Sequence, residues 1–203
     1  MGGRAAVLQD KIPELRAGKP RARPGFMQEL DKPQIMFVTM FDPDEPIDAI
    51  IEASRRMPEY VCYLTGNYKK IFRNRSLDEN VETSTIFTGF VSDEDYLSLM
   101  ENSDLVVVLT KKDLILNCGA YEAISFNKPL ILSDTATLRD YFNNIAVYTK
   151  NDSRNIEESI KCCLAVSDSM VANVIDGKVE LKGDWENRFI DINEQIKSIE
   201  GCR

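Results

Sequence analysis

The sequence predicts an α/β chain, a Rossmann-like three-layer α/β/α sandwich around a parallel sheet of about six strands. Three observations point there. Short apolar runs recur along the chain, stretches of helical period lie between them, and the runs are continuously apolar, as strands covered on both faces require. Right-handed βαβ units are the expected connections.

The elements follow in order. Residues Met1–Pro33 show no sustained period and carry four prolines, so they read as a tail or linker preceding a domain over 34–203. Gln34–Met40 reads as a buried strand, closed by the turn Phe41-Asp42-Pro43-Asp44-Glu45-Pro46. Pro46 suits a helix's first turn, and Ile47, Ile50, Ile51 and Ala53 give that helix an apolar face through Met57. Tyr60–Leu64 is a second strand ending in Thr65-Gly66-Asn67, and a short helix is expected over Tyr68–Arg73. Thr85–Phe87 is a third strand, followed by Thr88-Gly89. Ser92 caps a helix with Glu94 and Asp95 in its first turn, and Asp104–Leu109 is a short β-branched strand. Further on, a helix over Thr135–Phe142, a strand over Ile145–Thr149 and a helix over Asp152–Val166 are expected. A helical C-terminal region closes the chain, with Trp185, Phe189, Ile190, Ile192 and Ile196 as its buried stripe.

Composition bounds the function. Against 25 Lys and Arg stand 33 Asp and Glu, a formal charge of −8, which argues against nucleic acid or an anionic membrane as the main partner. The basic cluster Arg16–Arg23 reads as a solvated linker. There is no histidine, so histidine dyads and histidine metal sites are excluded within the chain. Five cysteines show no metal-site spacing. Cys62, Cys162 and Cys163 are expected as core thiols in a reducing cytoplasm, and no run reaches transmembrane length. The Asn-x-Ser matches at Asn74 and Asn151 then carry no weight. GxGxxG after the first strand and GxxxxGK[ST] are absent, which leaves dinucleotide and P-loop readings without support.

The most informative stretch is Asn117–Asp134, NCGAYEAISFNKPLILSD. A turn of small residues opens a short helix carrying Glu122, and an apolar strand follows. In open α/β sheets, ligands bind at the carboxyl ends of strands against helix N-termini. Gly119 and Ala120 would let a ligand approach the backbone, and Glu122 could accept hydrogen bonds from a sugar's hydroxyls. The plainer reading of Glu122 is a glutamate favoured by the helix dipole.

The tracts TGFVSDEDYLSLMENSDLVVVLT and GAYEAISFNKPLILSDTATLRDYF resemble the C-terminal, donor-binding domain of GT-B glycosyltransferases of group 1, or family 4. The resemblance covers roughly Gln34–Val166, and Val7–Leu15 looks like the linker preceding such domains. It implies binding of a UDP-, GDP- or similar nucleoside-diphosphate sugar with no further cofactor and no metal. It also implies an acceptor-binding domain in the same or another chain and a polysaccharide or glycolipid acceptor. A cytoplasmic location fits, at the inner membrane face if the other domain attaches there.

By that resemblance Glu122 holds the ribose, and Gly119, Ala120 and Tyr121, with Asn117 and Cys118 before them, line the diphosphate. Gly66 and Asn67 border the nucleotide, and Phe90 and Val91 fall where the base sits. The chain departs from the family pattern twice. The family's first glutamate falls on Leu114, one step after Asp113, and the loop after the first strand is acidic where members often carry cations. Lys111 and Lys112, with Lys69 and Lys70, are the candidate replacements as phosphate ligands. No catalytic residue is assigned within the chain.

Overall fold

The structure, a computed structural model, describes residues 6–16, 19–28, 31–72 and 84–200. Six parallel strands form one sheet in the order β3-β2-β1-β4-β5-β6. They are β1 (Gln34–Phe37), β2 (Val61–Thr65), β3 (Thr85–Gly89), β4 (Leu105–Val108), β5 (Leu130–Ser133) and β6 (Val147–Thr149). The helices are α1 (Ile47–Arg55), α2 (Lys69–Phe72), α3 (Asp93–Asn102), α4 (Cys118–Ser125), α5 (Ala136–Phe142), α6 (Ser153–Ala165) and α7 (Ser167–Glu200). The expected fold class stands.

Side chains alternate across each strand, so the sheet feeds two cores. Ile35, Phe37, Cys62, Leu64, Leu105, Val107 and Ile131 face α1 and α6. Met36, Tyr63, Val106, Val108, Leu130 and Leu132 face the other layer, where α3, α4 and α5 pack with α7. Three helix starts are capped by side chains, Ser92 as expected and Thr135 and Asp152 in place of the first helical residues expected of them. Ser92, Thr135 and Asp152 accept from the amides of Asp95, Leu138 and Asn155.

The chain reverses direction across the sheet between β1 and β4, which pair in parallel although five other elements separate them in sequence. Loops leaving two neighbouring strands toward opposite sides open a crevice at the strands' carboxyl ends. The strand β1 ends at Phe37 rather than Met40; the Val38 amide still donates to the Val107 carbonyl at 3.0 Å, and Val38–Met40 line the crevice. There the Thr39 amide donates to Thr65 Oγ1 at 3.0 Å, and the Thr39 hydroxyl donates to the Thr65 carbonyl.

Three other expectations are corrected. Ile145 belongs to a 3-10 turn (Asn143–Ile145), so β6 starts at Val147. Cys162 is exposed on α6, whereas Cys62 and Cys163 are buried. The C-terminal stripe is not core. Phe189, Ile190 and Ile196 are 44%, 54% and 47% exposed, while Trp185 and Ile192 are only half-buried. At about 1.5 Å per residue α7 runs past the body of the domain, and its burial ends near Leu181. Met170 and Val174 are buried. At Gly177 a Cβ would meet Ile145 Cγ1 at 2.2 Å, so the helix lies directly against the 3-10 turn.

Arg73, at the end of the expected α2, lies outside the described residues, as do Asn74 and Cys202. The segment before β1 holds no helix or strand in its described residues, yet it packs on the domain. Ile12 and Met27 join the core, the Leu15 amide donates to Ser125 Oγ, and the Gln28 amide donates to Tyr63 Oη. Further along, Trp185 Nε1 donates to the Gln9 carbonyl at 2.9 Å.

Candidate functional site

A hollow of about 630 Å³ occupies the crevice between the ends of β1 and β4. Its floor is Val38–Met40 after β1 and Val108 with Leu109 at the end of β4. One wall is Thr65 and Gly66 at the end of β2 with Gly89, Phe90 and Val91 at the end of β3. The other is Asp93, Tyr96 and Leu97 of α3 facing Asn117, Cys118, Gly119 and Glu122 at the start of α4.

Local sequence explains these walls. Gly66 has φ +89°, and a Cβ on it would stand 2.2 Å from the Thr39 carbonyl oxygen, so this turn folds only with glycine. Gly119 brings α4 onto β1, since a Cβ there would stand 2.9 Å from Val38 Cγ1. The Asn117 side chain makes no cap bond, so the helix start is left to face the hollow. Its Oδ1 is buried without a partner among the described residues. Phe90 is 67% exposed at the lip, presenting its ring to whatever enters.

Of the residues the sequence singled out, Glu122, Gly119, Asn117, Cys118, Gly66, Phe90 and Val91 meet around one space. Asn67 lies beside it, lining a smaller neighbouring depression with Tyr68, Gly89 and Phe90. Ala120 and Tyr121 do not reach the hollow. Both are buried, Ala120 in the core and Tyr121 against the rings of Tyr141 and Phe142. Helical periodicity accounts for the difference, because consecutive positions of α4 turn away from the face that carries Gly119 and Glu122.

Of the four candidate lysines, Lys69 lines the neighbouring depression with Asn67, and the other three are engaged elsewhere. Lys111 Nζ donates to the Pro43 carbonyl at 3.0 Å, Lys112 pairs with Asp44 at 3.5 Å, and Lys70 pairs with Asp42 at 2.8 Å. Asp42 and Asp44 of the acidic loop after β1 are thus paired with cations from α2 and from the loop after β4. Its Glu45 folds back to accept from the amides of Met40 and Asp42. Burial raises the Glu45 carboxyl above its ordinary range, and those amide bonds oppose the shift. Leu114 has φ +61° and is 87% exposed, pointing away. Asp113 accepts from the amides of Leu114 and Thr137, and hydrogen bonds led by the Thr137 side chain hold its carboxyl low. Neither residue lines the hollow.

Sequence reasoning missed Glu45, Asp93 and Tyr96. Tyr96 Oη donates to Glu122 Oε2 at 2.7 Å, linking the two helices across the site. Burial first, and the Glu122 charge second, push the Tyr96 phenol far above its ordinary range, so it stays a donor. Its position on α3 reads from sequence as part of an apolar face, with nothing local to reveal the partner. Among the described residues the hollow is lined by three carboxylates and no Lys or Arg. No group of three His, Cys, Asp or Glu among them is placed to hold a metal.

Such a crevice can take a ligand with an apolar plate, hydroxyls for Glu122 and an anion at the start of α4. Sucrose-phosphate synthase from Thermosynechococcus elongatus superposes with a TM-score of 0.69 at 17% identity, over 85% of this chain and 47% of that one. HepE of Anabaena, solved in complex with UDP-glucose, gives 0.62 at 18% identity, over 85% and 50%. A UDP-forming trehalose-phosphate synthase from Burkholderia xenovorans gives 0.59 at 15%, over 79% and 44%. At these identities the likeness establishes the fold, that of one Rossmann-like half of a GT-B enzyme. The chain spans about half the length of each of these structures. No curated protein sequence matches significantly. The family model for glycosyl transferases group 1 matches residues 19–175, most of the chain, and the protein therefore belongs to that family.

Proposed function

We propose that this chain is the donor-binding half of a glycosyltransferase and that its hollow takes a nucleoside-diphosphate sugar. The carrying observation is the placement of Glu122 in a crevice at the strand tips, beside the open start of α4 and below the exposed Phe90 ring. In this reading Glu122 accepts from the ribose hydroxyls, Phe90 and Val91 meet the base, and the turn Asn117–Gly119 faces the diphosphate. Lys111 and Lys112 would reach the phosphates only by leaving Pro43 and Asp44. Transfer itself, to a polysaccharide or glycolipid acceptor, requires a second domain in the same or another chain. An open half-site cannot exclude water or position an acceptor.

Calorimetry of the chain with UDP, GDP and their sugars tests this reading. Glu122→Ala is expected to weaken nucleotide binding by about 1–3 kcal/mol while leaving the melting temperature nearly unchanged. Equal affinity in the variant would remove Glu122 from the site. A second reading is favoured by one observation, the carboxylate-only charge of the described lining. On it the fold has lost donor binding and mediates protein contacts. Silence across the whole panel at millimolar ligand would select that reading.

A further inference from the structure

We propose that Tyr96 is a positioning residue for Glu122: the phenol of α3 holds the carboxylate of α4 toward the hollow, so that recognition of ligand hydroxyls depends on both. The proposal rests on the sugar-nucleotide reading for its ligand, but not for its geometry.

Tyr96 and Glu122 both line the hollow and meet at 2.7 Å through Oη and Oε2. A glutamate side chain has several rotamers, and most would carry its carboxylate out of register with a bound diol. A short hydrogen bond from a neutral hydroxyl to a carboxylate oxygen selects one of them. It occupies one lobe of Oε2, leaving Oε1 and the second Oε2 lone pair for two adjacent hydroxyls.

Tyr96 is itself fixed. The Ser92 hydroxyl caps α3 by accepting from the Asp95 amide. Leu99 and Met100 bury the helix in the core, and Glu101 pairs with Arg21 at 3.2 Å. A purely packing role would be served by phenylalanine, because the ring alone fills the space beside the core. The hydroxyl adds only the bond to Glu122, and its shielded position keeps it protonated. The carboxylate that reads the ligand is therefore aimed by a side chain on another helix, 26 residues earlier in sequence.

Tyr96→Phe tests this with two readouts. In a ligand-free crystal structure of the variant, the Glu122 carboxylate is expected to leave its position or to occupy several rotamers. In calorimetry, the unmodified chain is expected to prefer UDP over 2′-deoxy-UDP, or GDP over 2′-deoxy-GDP, by about tenfold. The variant should lose about five- to tenfold in affinity for the ribonucleotide and retain about threefold preference or less, the net scale of one ordinary hydrogen bond. A tyrosine that served packing alone would leave the Glu122 carboxylate, the melting temperature and the ratio all unchanged in the variant. An unmoved Glu122, or an unchanged ribose preference, overturns the proposal. If the unmodified chain binds none of the four diphosphates, the sugar-nucleotide reading falls, while the crystal structure still decides whether Tyr96 positions Glu122.

Discussion

Glu122 was legible because the residues around it are: a turn of small residues opening a helix is a local signal, and the carboxylate lies within it. Tyr96 and Glu45 were not, since each acquires its meaning from a partner on another segment. Tyr96 finds Glu122 across the hollow, and Glu45 finds the amides of its own reversed loop. The cysteines divide in the same way. Burial pushes the thiols of Cys62 and Cys163 up to about 12, while Cys118 and Cys162 stand exposed. Native chain treated with iodoacetamide at neutral pH should carry the label at Cys118 and Cys162 and stay unmodified at Cys62 and Cys163. Peptide mass spectrometry reads this directly, and rapid labelling of Cys62 would contradict the buried β2 register.

At the scale of elements, periodicity located every described strand and helix, and the errors concentrate at ends. β1 ends at Phe37 because Thr65's side chain takes over the Thr39 amide, a fact of the neighbouring strand that the sequence of β1 does not contain. The C-terminal stripe failed for a different reason. Its apolar period is real, but beyond Trp185, which meets Gln9, its large apolar residues Phe189, Ile190 and Ile196 stay exposed.

Of the caps, Ser92 is the one read from sequence; Asp152, expected as the first residue of its helix, caps it instead and has a pH signature. The amide and side chain of Asn155 hold the Asp152 carboxyl below its ordinary value. A depressed carboxylate contributes stability that is complete above the unfolded-state value. That contribution is lost as pH falls through the lower folded-state value. Asp113, Asp134 and Glu157 are depressed as well, so the comparison must be differential. Melting temperatures of the native chain and Asp152→Asn should nearly coincide at pH 7, since asparagine also caps. Below about pH 4 the native chain should fall more steeply. Parallel curves would show that the cap carries no charge-dependent stability.

At the scale of the whole molecule, the sequence conveyed the sandwich and the location of its crevice but not the attachment of the segment before β1. That segment has no period, so nothing in it announces that Ile12 and Met27 are buried or that Gln9 lies against α7. Trp185 is the chain's one tryptophan, and it holds this attachment. Its Nε1 donates to the Gln9 carbonyl, Lys11 Nζ sits 4.9 Å over its ring, and Phe189 stacks on it at 5.0 Å. Deleting residues 1–16 should therefore move the tryptophan emission to the red. Loss of the buried Ile12 side chain should also lower the melting temperature by roughly 3–10 °C. Unchanged emission would mean that Gln9 and Lys11 do not hold the indole in solution.

The bond between Gln9 and Trp185 joins residues 176 positions apart. A ribosome adding about 5–20 residues per second needs roughly 10–35 s to travel between them. Throughout that interval the Gln9 carbonyl has no indole to accept from, although α3 and α4 are already there for Arg21 and Leu15. The sheet and both its layers can assemble meanwhile, so the contact of Gln9 with Trp185 is among the last to form.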